Sequence, residues 1–202
     1  MKKKVGILNL KISNICSLQN SLNFIGCKFE TIDQSANIEK FNKLIIPGVG
    51  TFPESIKKIK KNNLDSKLKN FLKRKKILGI CLGMQIFSNE GLEIKKTKGL
   101  DVYKEKIKKL KFLKKLPNIG FKKVKIVNKN FNFKNINDLS EFYFMHSFGI
   151  TNIKKDYIES ILEINEKKII SSIKVQNFHG VQFHPEKSRD NGLKYLNNFL
   201  NE

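Results

Sequence analysis

Apolar residues in the first half of the chain come in short unbroken runs. Val5 to Leu10, Lys43 to Ile46 and Ile77 to Cys81 have the length and continuity of strands buried on both faces. Between them the spacing turns helical. Leu18, Leu22 and Ile25 recur at three- and four-residue intervals, with Ser13 in capping position and Gly26 as the stop. Pro53 to Lys73 reads as helix with a break near Asn62-Asn63, and Lys28 to Ile32 as a further strand. Pro47-Gly-Val-Gly50 ends the Lys43 run, and Gly83 to Phe87 opens a helix directly after Cys81. Strand and helix in alternation predict right-handed βαβ units and a parallel sheet covered on both faces.

The second half has a different rhythm. Phe121 to Val127, Phe142 to His146, Ile158 to Ile164, Lys168 to Gln176 and Gly180 to Phe183 are strand-like and separated by polar turns. Asn128 to Asp138 is rich in Asn and Lys and reads as a loop. Ser188 to Leu200 closes as a helix, with Leu193, Leu196 and Leu200 on one stripe. No repeat and no Pro-, Gly- or Ser-rich linker interrupts the pattern, so residues 1–202 read as a single α/β domain.

Composition narrows this reading. The 202 residues are 40% hydrophobic, enough to bury a sizeable core and outside the disordered class. No apolar run approaches the roughly 18 residues of a spanning helix, and Val5 to Leu10 is too short for a signal-peptide core, so a soluble, cytoplasmic protein is expected. Cys16, Cys27 and Cys81, an odd number, fit a reducing compartment rather than a disulfide framework. The net charge of +22 raises the question of nucleic acid. Only Arg74 and Arg189 among the forty basic residues are arginine, and the lysines are spread along the whole chain. A reader of bases favours arginine forks, so the charge reads as a solvated lysine-rich surface, and a polyanion-binding protein without catalysis is the weaker alternative.

Chemistry concentrates at three predicted strand ends. In Gly79-Ile-Cys-Leu-Gly-Met-Gln85, Cys81 stands between two glycines where a strand passes into a helix, the setting of a nucleophile elbow. The helix start favours a thiolate there, and the Leu82 amide is placed to donate to an oxyanion. A structural cysteine between turn glycines would give the same letters. His184-Pro185-Glu186 follows the last strand and offers a base with a carboxylate to orient it. His179, just ahead of that strand, reads as a surface residue. Gly48, Val49 and Gly50 end the preceding strand and bring backbone amides within reach of a carbonyl, as an ordinary turn would also allow. Ligands in open α/β sheets gather at such carboxyl ends, which makes the three segments compatible with one site.

With these segments in hand, the chain resembles the class I, triad-type glutamine amidotransferases. The resemblance rests on Pro47-Gly-Val-Gly-Thr-Phe52, Gly79-Ile-Cys-Leu-Gly-Met-Gln85 and Gly180-Val-Gln-Phe-His-Pro-Glu-Lys-Ser188, and it spans nearly the whole chain. Phe142-Tyr-Phe-Met-His-Ser147 and Gly192-Leu-Lys-Tyr-Leu-Asn-Asn-Phe-Leu200 make it most similar to the glutaminase subunits of imidazole glycerol phosphate synthases. The resemblance implies a flavodoxin-like, three-layer α/β fold with a mostly parallel central sheet and an antiparallel C-terminal extension. It implies that Cys81 attacks the amide of glutamine, with His184 as base then acid and Glu186 orienting it, and that Gly48, Val49, Gly50 and Leu82 supply oxyanion contacts. It further implies that Gln85 and Glu93 hold the glutamine backbone and ammonium, and that His146 and Ser147 close the other side of the pocket. For Glu93 a solvated surface carboxylate is the competing reading. No metal and no cofactor are implied.

The implied partner is a (β/α)8-barrel cyclase subunit in a heterodimer, which receives the ammonia for histidine synthesis. A sister use, delivery of ammonia for amidine formation on a surface-polysaccharide sugar, is the alternative. Two segments depart from the family pattern, Asn9-Leu10-Lys11 and Pro117-Asn118-Ile119-Gly120-Phe121-Lys122, where Asn118, Phe121 and Lys122 stand for the usual His, Trp and Asn. Both lie toward the partner in family members. A glutaminase this basic suits an acidic barrel face, since complementary charge speeds and orients docking.

Overall fold

A computed structural model of the chain describes residues 4–10, 15–33, 37–48 and 50–202. The first half runs β1 (Val5–Leu8), α1 (Cys16–Phe24), β2 (Phe29–Ile32), β3 (Lys43–Gly48), α2 (Phe52–Lys61), α3 (Leu64–Leu72), β4 (Lys76–Cys81) and α4 (Leu82–Gln85). Next come β5 (Ser88–Gly91), β6 (Thr97–Lys98), β7 (Tyr103–Lys109), β8 (Asn118–Ile126), β9 (Ser140–His146) and β10 (Phe148–Gly149). The chain closes with β11 (Ile158–Ile164), β12 (Lys167–Val175), β13 (Phe178–Val181) and α5 (Arg189–Asn201).

Nine strands form the central sheet in the order β2-β1-β3-β4-β13-β12-β11-β8-β9. The neighbours from β2 to β13 are parallel, and those from β13 to β9 are antiparallel. The two halves of the sequence pattern are therefore the two halves of one sheet. Alternate side chains of β4 enter two cores, Ile77 on one face and Leu78 and Ile80 on the other. Leu18 and Leu22 of α1 and Tyr195, Leu196 and Phe199 of α5 cover the second face. Ile56, Ile59, Leu64, Leu68 and Phe71 of α2 and α3 cover the first. The break between α2 and α3 falls where expected, with Asn63 in the left-handed region at φ 52°.

Several expectations are corrected. β3 does not stop at Ile46 but runs to Gly48; Pro47 opposes Ile80 where the ladder is ending, so its missing N–H is tolerated. The helix after Cys81 is one turn, Leu82–Gln85, rather than Gly83 to Phe87. The last strand starts earlier than expected, at Phe178, which puts His179 inside the sheet, fully buried, rather than on the surface. A second sheet, β10-β7-β5-β6, occupies a stretch with no assigned element and buries Tyr103 and Ile107 on the α2–α3 side. The Asn128 to Asp138 loop contains a 3-10 turn, Phe131–Phe133, that buries Phe133. Ser13, read as a cap, lies outside the described residues. Among the described residues no helix is long and apolar enough to cross a membrane.

Candidate active site

Because β3, β4 and β13 are parallel neighbours, Gly48, Cys81 and the segment after Val181 emerge at the same edge of the sheet. Cys81 has φ 52° and ψ −109°, a conformation that costs energy in a residue with a Cβ and projects the side chain away from the strand. Packing enforces it. A Cβ on Gly83 would stand 1.9 Å from the Ile46 carbonyl oxygen, so only glycine lets the turn after Cys81 lie against β3.

His184 is 3% exposed and its Nδ1 is 2.8 Å from Glu186 Oε1. The carboxylate fixes Nδ1 as the protonated nitrogen and leaves Nε2, unengaged by any other side chain among the described residues, facing Cys81. Burial opposes charge on this imidazole, but Cys81 and then Glu186 outweigh it and push His184 up to about 10. The turn carrying the pair is clamped from behind. Ser188 Oγ donates to the His184 carbonyl at 2.6 Å and accepts from the Tyr143 amide at 2.9 Å, and the His184 amide donates to the Tyr143 carbonyl.

A cavity of about 220 Å³ lies over the sulfur, and Gly48, Gly50, Cys81, Leu82, Gln85, Glu93, His146 and Ser147 line it together with Pro117, Met145 and Phe148. Sequence-predicted residues from four separate stretches thus meet in one place, while His184 and Glu186 are not part of that lining. Val49 lies outside the described residues. Gly50 has φ 123°, backbone that favours glycine.

Glu93 is half-buried, and its Oε2 accepts from the Phe52 amide at 2.7 Å, so it is not a freely solvated surface carboxylate. Thr51 gives α2 no side-chain cap, and the Glu93 charge meets the positive end of that helix instead. Gln85 Nε2 donates to the Phe148 carbonyl and to Gln182 Oε1, both at 2.9 Å. Its two amide hydrogens are spent there, so toward a ligand Gln85 offers an acceptor. His146 is held neutral, lowered to about 4 by burial. Its Nδ1 donates to the Phe148 carbonyl at 2.9 Å and its Nε2 accepts from Asn118 Nδ2 at 3.1 Å. It shapes the wall and has no nitrogen left to act as a base.

Two residues at the site had no role in the sequence reading. Asn118 appeared there only as a departure, and Gln182 only as a letter within a motif. Gln182 Nε2 reaches the Cys81 sulfur at 3.4 Å. A two-residue period placing Gln182 beside His184 was the one available signal. Among the described residues no group of His, Cys, Asp and Glu could hold a metal ion. Taken together, the arrangement can present the Cys81 sulfur to a base, move a proton through His184, and hold a small polar molecule over the sulfur.

Comparison with known proteins follows the same lines. The family model for glutamine amidotransferase class-I matches residues 7–202. The chain is 32% identical to the imidazole glycerol phosphate synthase subunit HisH of Chlorobaculum tepidum, over 96% of this chain and 98% of that one. It is 36% identical to the subunit of that name in Blochmanniella pennsylvanica, over 96% and 97%, and 34% identical to that of Pyrococcus furiosus, over 97% of each. Among solved structures it resembles PurLQS from Thermotoga maritima, with a TM-score of 0.77 at 18% identity over 100% and 99% of the two chains. A glutamine amidotransferase from the same organism has a TM-score of 0.66 at 16% identity, over 92% and 77%.

Proposed function

The chain belongs to the class-I glutamine amidotransferase family and is a glutamine-hydrolysing enzyme subunit, and we propose that it serves an imidazole glycerol phosphate synthase, delivering ammonia to a (β/α)8-barrel cyclase subunit for histidine synthesis. The observation that carries the chemistry is the pairing of a strained Cys81 with the His184–Glu186 couple at the ends of adjacent parallel strands. Its likeness to HisH subunits supports the pathway and favours it over the sugar-amidine alternative.

In the proposed cycle the Cys81 thiolate attacks the side-chain carbonyl carbon of glutamine. The carbonyl oxygen gathers negative charge against backbone amides of the Gly48–Gly50 segment and of Leu82. The C–N bond breaks, the imidazolium of His184 gives its proton to the leaving nitrogen, and ammonia departs from a glutamyl thioester. Water then gives a proton to His184 and attacks the thioester carbon. The C–S bond breaks with its electron pair on sulfur, releasing glutamic acid and restoring the thiolate–imidazolium pair. Gln85 and Glu93, both acceptors, face the substrate ammonium, and His146 and Ser147 close the opposite wall.

The whole chain acts as one amidotransferase domain in the cytoplasm, where Cys16, Cys27 and Cys81 stay free. Its lysine-rich surface meets an acidic barrel face, so association slows as salt rises. The decisive assay measures glutamate release with the barrel subunit and its nucleotide substrate present. Cys81→Ser is expected to lower it by about 10³-fold or more. Hydrolysis that survived the change would overturn the mechanism, and a wild-type complex that formed no imidazole glycerol phosphate would overturn the pathway.

A further inference from the structure

Gln182 is fully buried, one residue past β13 and two before His184. Its backbone N–H donates to the Ser171 carbonyl at 2.8 Å, which ties the segment to β12. A primary amide in such a place is costly unless its polar atoms are satisfied, and an aliphatic side chain would be the ordinary occupant. Both of its partners belong to the site: Oε1 accepts from Gln85 Nε2 at 2.9 Å, and Nε2 donates to Cys81 Sγ at 3.4 Å.

The orientation of this amide follows from its neighbours. The Phe148 carbonyl can only accept, so the Gln85 group facing it is the NH2. That NH2 also faces Gln182, so Gln182 presents its oxygen there and its own NH2 to the sulfur. The direction of the whole relay, from Phe148 through Gln85 and Gln182 to Cys81, is fixed by one backbone carbonyl. The relay matters more because α4 is a single turn, which leaves little aligned backbone dipole behind the nucleophile.

We propose that Gln182 is a catalytic residue of the glutaminase reaction, donating an N–H to the Cys81 sulfur while its carbonyl holds Gln85 against the pocket. The proposal rests on the glutaminase reading of the site. The N–H stabilises sulfur whenever it carries the electron pair: before attack on the amide carbon, and again when the C–S bond of the thioester breaks. In the thioester itself the sulfur is neutral and the contact is weaker, so the donor lowers the barrier to expelling the thiolate. The other end of the same amide fixes which atoms Gln85 turns toward the substrate.

The two arms can be separated. Gln182→Glu keeps an oxygen for Gln85 and replaces the N–H donor to sulfur with an acceptor. Gln182→Met, of similar length, removes both arms. The full chain with its barrel subunit is assayed for glutamine hydrolysis, and the full chain alone is treated with iodoacetamide at pH 7, with alkylation of the Cys81 peptide followed by mass spectrometry. Gln182→Glu is expected to lower kcat and the Cys81 alkylation rate about tenfold each while KM stays within about threefold. Gln182→Met is expected to show the same losses and also to raise KM. A merely structural role would lower the thermal midpoint without separating kcat from KM in this way. If Gln182→Glu does not fold, Gln182→Met alone decides through its alkylation rate. Rates within twofold of wild type in a folded variant overturn the proposal. Failure of the wild type to hydrolyse glutamine would sink the glutaminase reading, yet the alkylation ratio would still decide whether Gln182 acts on Cys81.

Discussion

Two histidines five residues apart, His179 and His184, are both buried beside a carboxylate and are shifted in opposite directions, one toward the neutral ring and one toward the cation. His184 pairs with Glu186 at 2.8 Å and is pushed up to about 10. His179 lies 3.3 Å from Glu202 and is driven down to about 3. Burial opposes charge in both. The difference lies in the third party. At His184 it is Cys81, whose sulfur favours the charged ring. At His179, Lys174, Lys76 and Lys43 repel the proton and offset Glu202, while Asn132 Nδ2 lies 2.7 Å from Nδ1. A carboxylate partner does not by itself make a histidine a base; the net charge of everything facing the ring decides.

The strongest way to break this contrast is to exchange the functional consequence. His184→Asn is expected to cut glutamine hydrolysis by about 10³- to 10⁴-fold, because no other group among the described residues of the site is placed to carry the proton. His146 cannot substitute, with both ring nitrogens engaged. His179→Leu is expected to leave hydrolysis within about twofold of wild type. Residual activity in His184→Asn close to that of His179→Leu would remove the basis for assigning the two sites different work.

A smaller effect sharpens the role of the carboxylate. Glu186→Gln keeps an acceptor for Nδ1 but removes the charge, so the imidazolium loses one of its two supports. A fall in kcat of about hundredfold is expected, with His184 moving down toward its ordinary range in a ¹⁵N titration. An unchanged titration would mean that the Cys81 thiolate alone sets the His184 charge.

The parallel half of the fold was readable because strands covered on both faces spell continuous apolar runs, as in β4. The small sheet was not. β5 reads Ser-Asn-Glu-Gly and owes its extended form to pairing with β6 and β7, and in β7 lysines dilute the alternation of Tyr103 and Ile107. The candidate triad could be picked out because Cys81, His184 and Glu186 each carry local turn chemistry. Gln182 was not, since its meaning comes from Gln85 and Cys81, about a hundred residues away. His179 reads as surface in the sequence because nothing local shows that the strand begins at Phe178 or that Phe199, twenty residues on, packs against the ring.

His179 also gives a stability effect of moderate size. Replacing it with Leu strands the fully buried Asn132 amide without its acceptor, at an expected cost of about 1–3 kcal/mol in denaturant unfolding at pH 7. His184→Asn keeps a polar group beside Glu186, so its loss should be smaller. Equal losses in the two variants would mean that the His179 network carries no special structural weight.

The finest test is the pH dependence of that loss. The folded chain refuses a proton at His179 down to about 3, whereas the unfolded chain accepts one near the ordinary value of 6.5. Between those limits the unfolded state binds the extra proton, so this histidine makes stability rise with pH, by at most about 1.4 kcal/mol per pH unit. Glu159 has the opposite sign. Burial raises it to about 7 from 4.5, so the folded state holds the extra proton, and its contribution is present below about 4.5 and lost as pH rises through 7. Across the overlap, from about 4.5 to 6.5, the two slopes cancel, and the wild-type curve hides both. Subtracting the His179→Leu curve removes Glu159, which both proteins share, and leaves the histidine together with its coupling to Glu202. The difference should be level above about 6.5 and shrink steadily as pH falls, because the variant no longer carries a ring that must stay neutral. A difference that stayed level down to pH 5 would show that His179 takes up a proton in the fold, and the contrast with His184 would then be one of degree rather than of sign.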